Sequence, residues 1–302
     1  MENRERAEAV QRMQDYIQQH LHEVITLHDL SRRAGYSPFH CVRVFGELTG
    51  RTPFEYIRAL RLSRAAMELR DEKTRIIDVA LDFVFDSQEG FTRAFSREFG
   101  ITPARYRKDH PPVRLFMPYP VLKQYLYYLK GEGKMEKKTA AGTVFAQVIE
   151  RPERKLILKR GVKAEDYFSY CTEVDCEIWG LLCSVKEALY EPIGMWLPDS
   201  LIKPGTSRYA QGVEVPADYS GKVPEGLEVI SLPACQMMVF QGPPYDDERF
   251  EEAISDLWEA MKTYNPELYG FQWADDDAPR FQMEPQGWRG YIEARPVRPV
   301  NK

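Results

Sequence analysis

The most constraining feature of this chain is a stretch that occurs twice. Residues 37–56, SPFHCVRVFGELTGRTPFEY, return 50 residues later as SQEGFTRAFSREFGITPARY. Ser37 then meets Ser87, Arg43 meets Arg93, Phe45 meets Phe95 and Gly50 meets Gly100. Thr52-Pro53 and Tyr56 meet Thr102-Pro103 and Tyr106. Upstream the offset falls to 49, where Asp29-Leu30 meets Asp78-Val79, so the second copy has gained one residue between Val84 and Ser87. Similarity at a fixed period means one supersecondary unit built twice.

Each copy reads as helix, short turn, helix. In the first, Leu27 to Ala34 is a short helix and Gly35-Tyr36 turns the chain, glycine being the residue that accepts a positive φ after a helix. Ser37 caps the next helix, with Pro38 in its first position. Cys41, Val44, Phe45 and Leu48 recur at helical spacing and face a core. In the second copy Ser87 is the cap, and Phe91, Ala94, Phe95 and Phe99 form the buried stripe. Between the copies, residues 53–70 carry neither Gly nor Pro in their interior and keep a helical period, which predicts a rigid connecting helix.

A helix-turn-helix unit lays its second helix in the major groove, with the N-terminal half at the base edges. The candidates are Phe39, His40, Val42 and Arg43 in the first copy, and Gln88, Glu89, Thr92 and Arg93 in the second. Arginine suits guanine O6/N7, glutamine suits adenine, and an apolar side chain suits the thymine methyl. Two reading heads about one DNA turn (~34 Å) apart sit on one face of a duplex. A single polypeptide is thereby able to bind an asymmetric site as a monomer.

The segments GYSPFHCVRVFGELTGRTPFEYI and FDSQEGFTRAFSREFGITPARYRK resemble the DNA-binding domain of the AraC/XylS family over residues 8–108. The resemblance implies an all-α, seven-helix tandem helix-turn-helix domain over residues 1–110 that acts on promoters, with RNA polymerase a further candidate partner. It places Phe39, Val42, Arg43, Gln88, Glu89 and Arg93 at base-contacting positions. Two departures stand out. The family usually carries glycine before the aromatic of the second turn, whereas Val84 precedes Phe85 here; either the turn differs or the second lobe stands at an altered angle. Val42 occupies a position where relatives often carry a polar reader.

Charge divides the chain. Residues 1–110 hold 18 Lys+Arg against 17 Asp+Glu, while residues 139–302 hold 17 against 27. A DNA reader needs its cations on one face, not a large net charge. The five cysteines form no CxxC pair and read as reduced thiols, so no metal or other cofactor is expected. The N-terminus lacks an apolar signal segment and no long apolar run exists, which predicts a cytoplasmic protein that does not cross a membrane. Residues 111–141 read as a linker, Pro-rich and packed on a domain at first. A Gly/Lys connector follows, its lysines Lys123, Lys130, Lys134, Lys137 and Lys138 solvated.

Residues 142–302 hold all five tryptophans. The pattern predicts a strand at 143–150, a helix near 173–189, and strands at 193–197 and 208–215. Extended segments at 226–241 follow, then a helix at 246–264 with Phe250, Ile254, Leu257, Trp258 and Met261 on one face, and strands at 280–284 and 289–297. This is a doubled strand–helix–strand–strand order, an α+β domain with antiparallel strands. GVEV at 212–215 weakly echoes YIEA at 291–294. The pattern, with ISLPACQMMVFQGP and WRGYIEARPV, resembles the GyrI-like effector-binding domain, and reader first, sensor second is the order of the Rob-like subgroup. The resemblance implies a groove where aromatic walls and a carboxylate favour lipophilic cations. Glu293 is the candidate carboxylate; Trp196, Tyr209, Phe281, Trp288 and Tyr291 are candidate walls. A ligand-responsive regulator is the expected function. Two alternatives stay open: a small-molecule hydrolase with Glu293 as general base, and a protein-interaction domain without ligand.

Overall fold

The computed structural model describes residues 2–71, 73–130, 144–174 and 177–300. They fall into two compact units that divide at Glu136/Lys137, treated separately below.

The first unit is helical. Helix α1 (Glu2–Gln19) packs on α2 (Leu27–Ala34) and α3 (Pro38–Thr49); α4 (Pro53–Glu68) then packs against α3, α5 (Ile76–Asp82) and α6 (Gln88–Phe99), and α7 (Pro103–Asp109) closes the second lobe. The starts of these helices follow from local chemistry. Thr26 and Thr52 form capping boxes with Asp29 and Glu55, while Ser37, Ser87 and Thr102 accept from backbone N–H groups three residues on. These caps satisfy donors that a helix start leaves without a partner. The core follows the repeat: Cys41, Val44 and Phe45 are buried in α3, as are Phe91, Ala94 and Phe95 in α6. Phe45 lies edge-on to Tyr56, whose hydroxyl accepts from Gln14 Nε2 at 3.0 Å.

The second turn keeps its left-handed residue despite the missing glycine. Gly35 has φ 73° and Val84 has φ 62°. Tyr36 N–H donates to Ser31 O at 3.1 Å, and in the second copy Phe85 N–H donates to Ala80 O and Val84 N–H to Leu81 O, both at 2.9 Å. These bonds close the helix in the same way. The altered turn expected from Val84 is therefore not what forms: the backbone is held and the valine is strained.

Residues 111–126, the Pro-rich start of the segment read as a linker, pack on this unit. Val113 and Leu115 are buried, Phe116 N–H donates to Ser63 Oγ at 2.7 Å, and Gln14 Oε1 accepts from Val121 N–H. Helix α8 (Val121–Lys130) packs on α1. Lys123, expected in solvent, is buried beside the Tyr119 ring, because its position on α8 points at the packed face. Lys134, Lys137 and Lys138 lie outside the described residues, as does Cys176.

The second unit is one antiparallel sheet with helices. Its strands are β1 (Phe145–Arg151), β2 (Arg154–Arg160), β3 (Ile193–Trp196), β4 (Tyr209–Pro216), β5 (Glu228–Leu232), β6 (Cys235–Gln241), β7 (Phe271–Trp273), β8 (Arg280–Gln282) and β9 (Ile292–Pro299). They run in the order β1-β6-β9-β8-β3-β4-β2-β5, with β7 on β9. Reversing that order exchanges β1 with β5, β2 with β6, β3 with β8 and β4 with β9, so the domain is a two-fold duplication whose seam is the β3–β8 pair. Each half is strand–strand–helix–strand–strand. The expected order lacked β2, whose RKLILKR reads as a charged segment with an apolar middle. Nor is there one helix over 173–189: α9 (Tyr167–Val174) and α10 (Glu177–Cys183) are short and lie further upstream. Helix α11 (Phe250–Thr263) lays Leu257 and Met261 on Met238 and Phe240.

The symmetry also corrects the repeat. At the seam Gly194 faces Gln282, and on their outer sides these face Gln211 and Glu293. Tyr209-Ala210-Gln211 thus matches Tyr291-Ile292-Glu293, and GVEV is not the partner of YIEA. Glu214, three residues beyond Gln211, projects from the opposite face of the sheet, since side chains alternate along a strand. There it is buried and held by Arg151 Nη1 at 2.7 Å and Arg154 Nε at 2.6 Å.

A β-branched residue in the left-handed region costs on the order of 1–3 kcal/mol, whereas glycine accepts it at a chain-entropy cost of about 0.5–1 kcal/mol. Val84→Gly is therefore expected to stabilise the helical unit by about 1 kcal/mol, read as a higher urea midpoint of the helical circular-dichroism transition. An unchanged or lower midpoint contradicts the assignment of strain.

Candidate nucleic-acid interface and ligand site

In α3 and α6 the same burial order leaves the same positions outside. Phe39 is 82% exposed at the start of α3; Arg43 is exposed one turn later, with Val42 half-buried beside it. In α6, Gln88, Glu89 and Arg93 are exposed and Thr92 is half-buried. The cap fixes this placement. With Ser37 or Ser87 holding the first turn, the residues two and six positions on are exposed at a helix start, while Cys41 and Phe91, four positions on, turn into the core. The two arginines differ in their surroundings. Arg43 Nη2 lies 3.1 Å from His40 Nδ1, and its Nε lies 3.9 Å from a Glu47 oxygen; the His40 ring is edge-on to Tyr36. Arg93 meets no hydrogen-bonding or ionic partner among the described residues. Both helices descend from α4, whose 16 residues make a rod of about 24 Å at 1.5 Å per residue.

The second unit brings together some of the expected ligand residues and separates others. Glu293 is fully buried on the helix-bearing face. Its Oε2 accepts from Trp258 Nε1 at 2.7 Å and from Tyr291 Oη at 3.0 Å, and its Oε1 is paired with Arg280. Burial pushes the Glu293 carboxyl above its ordinary value of 4.5, and Arg280 and the two hydrogen-bond donors work against that rise. Trp196 stands next to Arg280 in the β3–β8 pairing and lies edge-on to Tyr209 at 5.3 Å. The Arg280 guanidinium lies 4.8 Å from the Trp196 ring centroid and 5.9 Å from that of Trp258.

Tyr209 forms the layer beneath, fully buried, its hydroxyl over Gly194. A Cβ at residue 194 would stand 2.1 Å from that oxygen, so glycine is required there. The Tyr209 hydroxyl and the buried Gln211 amide lie beside each other, with no hydrogen bond of ordinary geometry to other groups among the described residues.

Two expected walls are not there. Phe281 lies one residue from Arg280 and so projects from the other face, into the cluster with Met195 and Ala294, where Arg151 lies over its ring. Trp288 is 76% exposed on a 3-10 turn, its indole N–H donating to Gln286. Conversely, Arg280 and Trp258 were not expected. An arginine opening a short strand reads as a surface residue. Trp258 sits at the edge of the α11 stripe, and its place beside Leu257 was the available signal. Both Glu293 oxygens each accept from two groups or from a guanidinium, an arrangement suited to a counter-charge and poorly suited to a general base.

Helix-turn-helix pairs with capped, exposed second helices define a class of nucleic-acid-reading proteins. A family model described as a helix-turn-helix domain matches residues 30–109. The right origin-binding protein of Escherichia coli K12 is 42% identical over 108 residues, which is 33% of this chain and 37% of that protein. The chain thus spans little more than a third of the length of that relative. The transposon Tn10 TetD protein of Escherichia coli is 43% identical over 94 residues, 31% of this chain and 68% of the relative. The regulatory protein SoxS of Salmonella typhimurium is 38% identical over 98 residues, 32% of this chain and 92% of the relative. The chain belongs to the AraC-type helix-turn-helix family.

Glu293 gives a pH test. A carboxyl whose folded pKa lies above its unfolded value contributes stability below that unfolded value and loses it as pH rises through the folded one. As pH rises from about 4 towards 7, native stability is expected to fall relative to Glu293→Gln, which does not titrate. Parallel stability-versus-pH curves for the two proteins contradict the raised pKa.

Proposed function

We propose that the chain is a sequence-specific DNA-binding transcription regulator controlled by a small lipophilic molecule held in its second unit. The observation that carries the DNA half is the repeated placement of Phe39, Val42 and Arg43 and of Glu89, Thr92 and Arg93 at two capped helix starts, each free of the core. On this reading α3 and α6 enter successive major-groove segments of double-stranded DNA, with Gln88 and His40 at the flanks of the contacted bases. Phe39 and Val42 offer apolar contact to thymine methyls; Arg43 and Arg93 pair with guanine edges. One polypeptide carries both heads, so a monomer suffices in the cytoplasm, at promoters where RNA polymerase is recruited or blocked.

The ligand half rests on Glu293, Trp196, Trp258, Tyr209 and Tyr291, with the buried Gln211 amide beside Tyr209. Hydrogen bonds that a ligand makes to such buried groups are stronger than the same bonds in water. Such a ligand alters DNA binding only to the extent that its affinity differs between the DNA-competent and incompetent arrangements.

Arg43→Ala and Arg93→Ala are each expected to weaken binding to a selected DNA site by about 1–3 kcal/mol, roughly 5- to 150-fold, and to relax base preference at one position. Arg93 has no partner to replace among the described residues and is exposed, so its variant is expected to leave the fold unchanged. Binding as tight as native by both variants, measured by fluorescence anisotropy at fixed salt, sinks the groove assignment.

A further inference from the structure

Arg280 stands where a flat cationic ligand would stand. A planar cation between aromatic rings and against a desolvated carboxylate is the arrangement that recognises a lipophilic cation, and here the cation is the chain's own guanidinium. Its inner edge meets Glu293, its faces lie near Trp196 and Trp258, and the residue remains 36% exposed by side chain. Trp258 is itself 40% exposed, so the mouth is open and aromatic.

The opposite face of the same sheet supplies a comparison. There Arg151 also joins a buried glutamate and lies over two rings, Tyr190 at 3.6 Å and Phe281 at 5.1 Å. That arginine is sealed, with 7% of its side chain exposed, and Arg154 provides a second cation to Glu214. The Glu214 cluster is closed, both of its arginines being buried. The Glu293 cluster is open, with a single cation at its mouth. Next to it, across Gly194, lie two further polar groups, the Gln211 amide and the Tyr209 hydroxyl, both on residues at least nine-tenths buried.

We propose that Arg280 is a resident cation that fills the Glu293–Trp196–Trp258 site, so that the native chain refuses free lipophilic cations and takes flat aromatic carboxylates. A free cation must displace a tethered guanidinium whose local concentration is high and whose ordering cost is already met by the fold. A carboxylate needs no displacement. The outer edge of Arg280 offers N–H donors to it in a bidentate fork, and its ring lies against the exposed tryptophan faces. The inference rests on the ligand-sensing reading of the second unit and adds the charge of the ligand.

Naphthoate and naphthamidinium share one ring system and carry opposite charge. Titration of each into the full chain, followed by tryptophan fluorescence and calorimetry, tests the proposal. Naphthoate is expected to bind the native chain and to bind Arg280→Gln about tenfold or more weakly; naphthamidinium is expected to bind Arg280→Gln at least about tenfold more tightly than native. Glu293→Gln keeps the guanidinium and removes its internal partner, so naphthoate should bind that variant more tightly than native. This second variant decides the matter if Arg280→Gln does not fold, as judged by near-UV circular dichroism. Native protein that binds naphthamidinium as tightly as Arg280→Gln does, or a Glu293→Gln variant with unchanged naphthoate affinity, overturns the resident-cation proposal and leaves a ligand site standing. Absence of binding by either probe to all three proteins overturns the ligand site as well.

Discussion

Water is excluded from Glu293 and Glu214, and an ionised carboxylate without water costs several kcal/mol unless donors replace it. The second unit is organised by that requirement. Glu214 is met by two buried arginines from β1 and β2, which ties the start of the sheet to its centre. Glu293 is met by one arginine from β8, a tryptophan from α11 and a tyrosine at the foot of β9. The second set draws a helix onto the sheet through a polar contact, so α11 is located by Trp258 Nε1 as well as by the apolar packing of Leu257 and Met261. Removing one partner from such a set leaves a buried charge; replacing the whole set with apolar residues need not weaken the fold. Retention of an ionic pair at the open mouth therefore points to specificity more than to stability.

The same accounting of polar groups shapes the first unit. Each reading helix begins with donors that have no helical partner, and Ser37 and Ser87 supply acceptors at 3.4 Å and 3.1 Å. Two residues stand between the preceding helix and that cap in the first copy and four in the second, and each turn carries a left-handed residue. In the second copy that residue is a valine. Both units are duplications, and in each the copies have parted where the chain must do different things. Gly35 faces Val84 across one repeat, and Gln211 faces Glu293 across the other.

The first duplication was legible because everything that defines it is local. Caps, turn glycines and helical periodicity lie within a dozen residues, and a one-residue insertion moves the offset without hiding it. The second was misread because strand pairing is non-local. The echo between residues 212–215 and 291–294 was three positions out of register, and an odd slip moves a strand's side chains to the other face. In the true register Gln211, not Glu214, is the counterpart of Glu293; Phe281 lies one residue from Arg280 and faces away from the Glu293 site. Strand β2 does not stand out in the sequence because its ends carry Arg and Lys around three apolar residues, and the burial of Arg154 beside Glu214 is not visible locally. Arg280 had no signature at all: its role depends on Glu293, thirteen residues away, and on rings from β3 and α11 that only the folded sheet brings to it.

On the proposed ligand reading, the seam makes the site common to both halves of the unit. Strand β1 pairs with β6 and β5 with β2, so each half completes its partner's sheet and neither half holds its own edge. The halves also meet along β3–β8, where Glu293, Gln282, Gly194 and Gln211 form one row across four strands. Trp196 and Tyr209 extend from one half, Arg280 and Tyr291 from the other. A molecule that pairs with Arg280 and satisfies Gln211 or Tyr209 therefore bonds both halves at once. Its binding free energy adds to the stability of the seam by mass action, while a ligand confined to one half would leave the seam as it was.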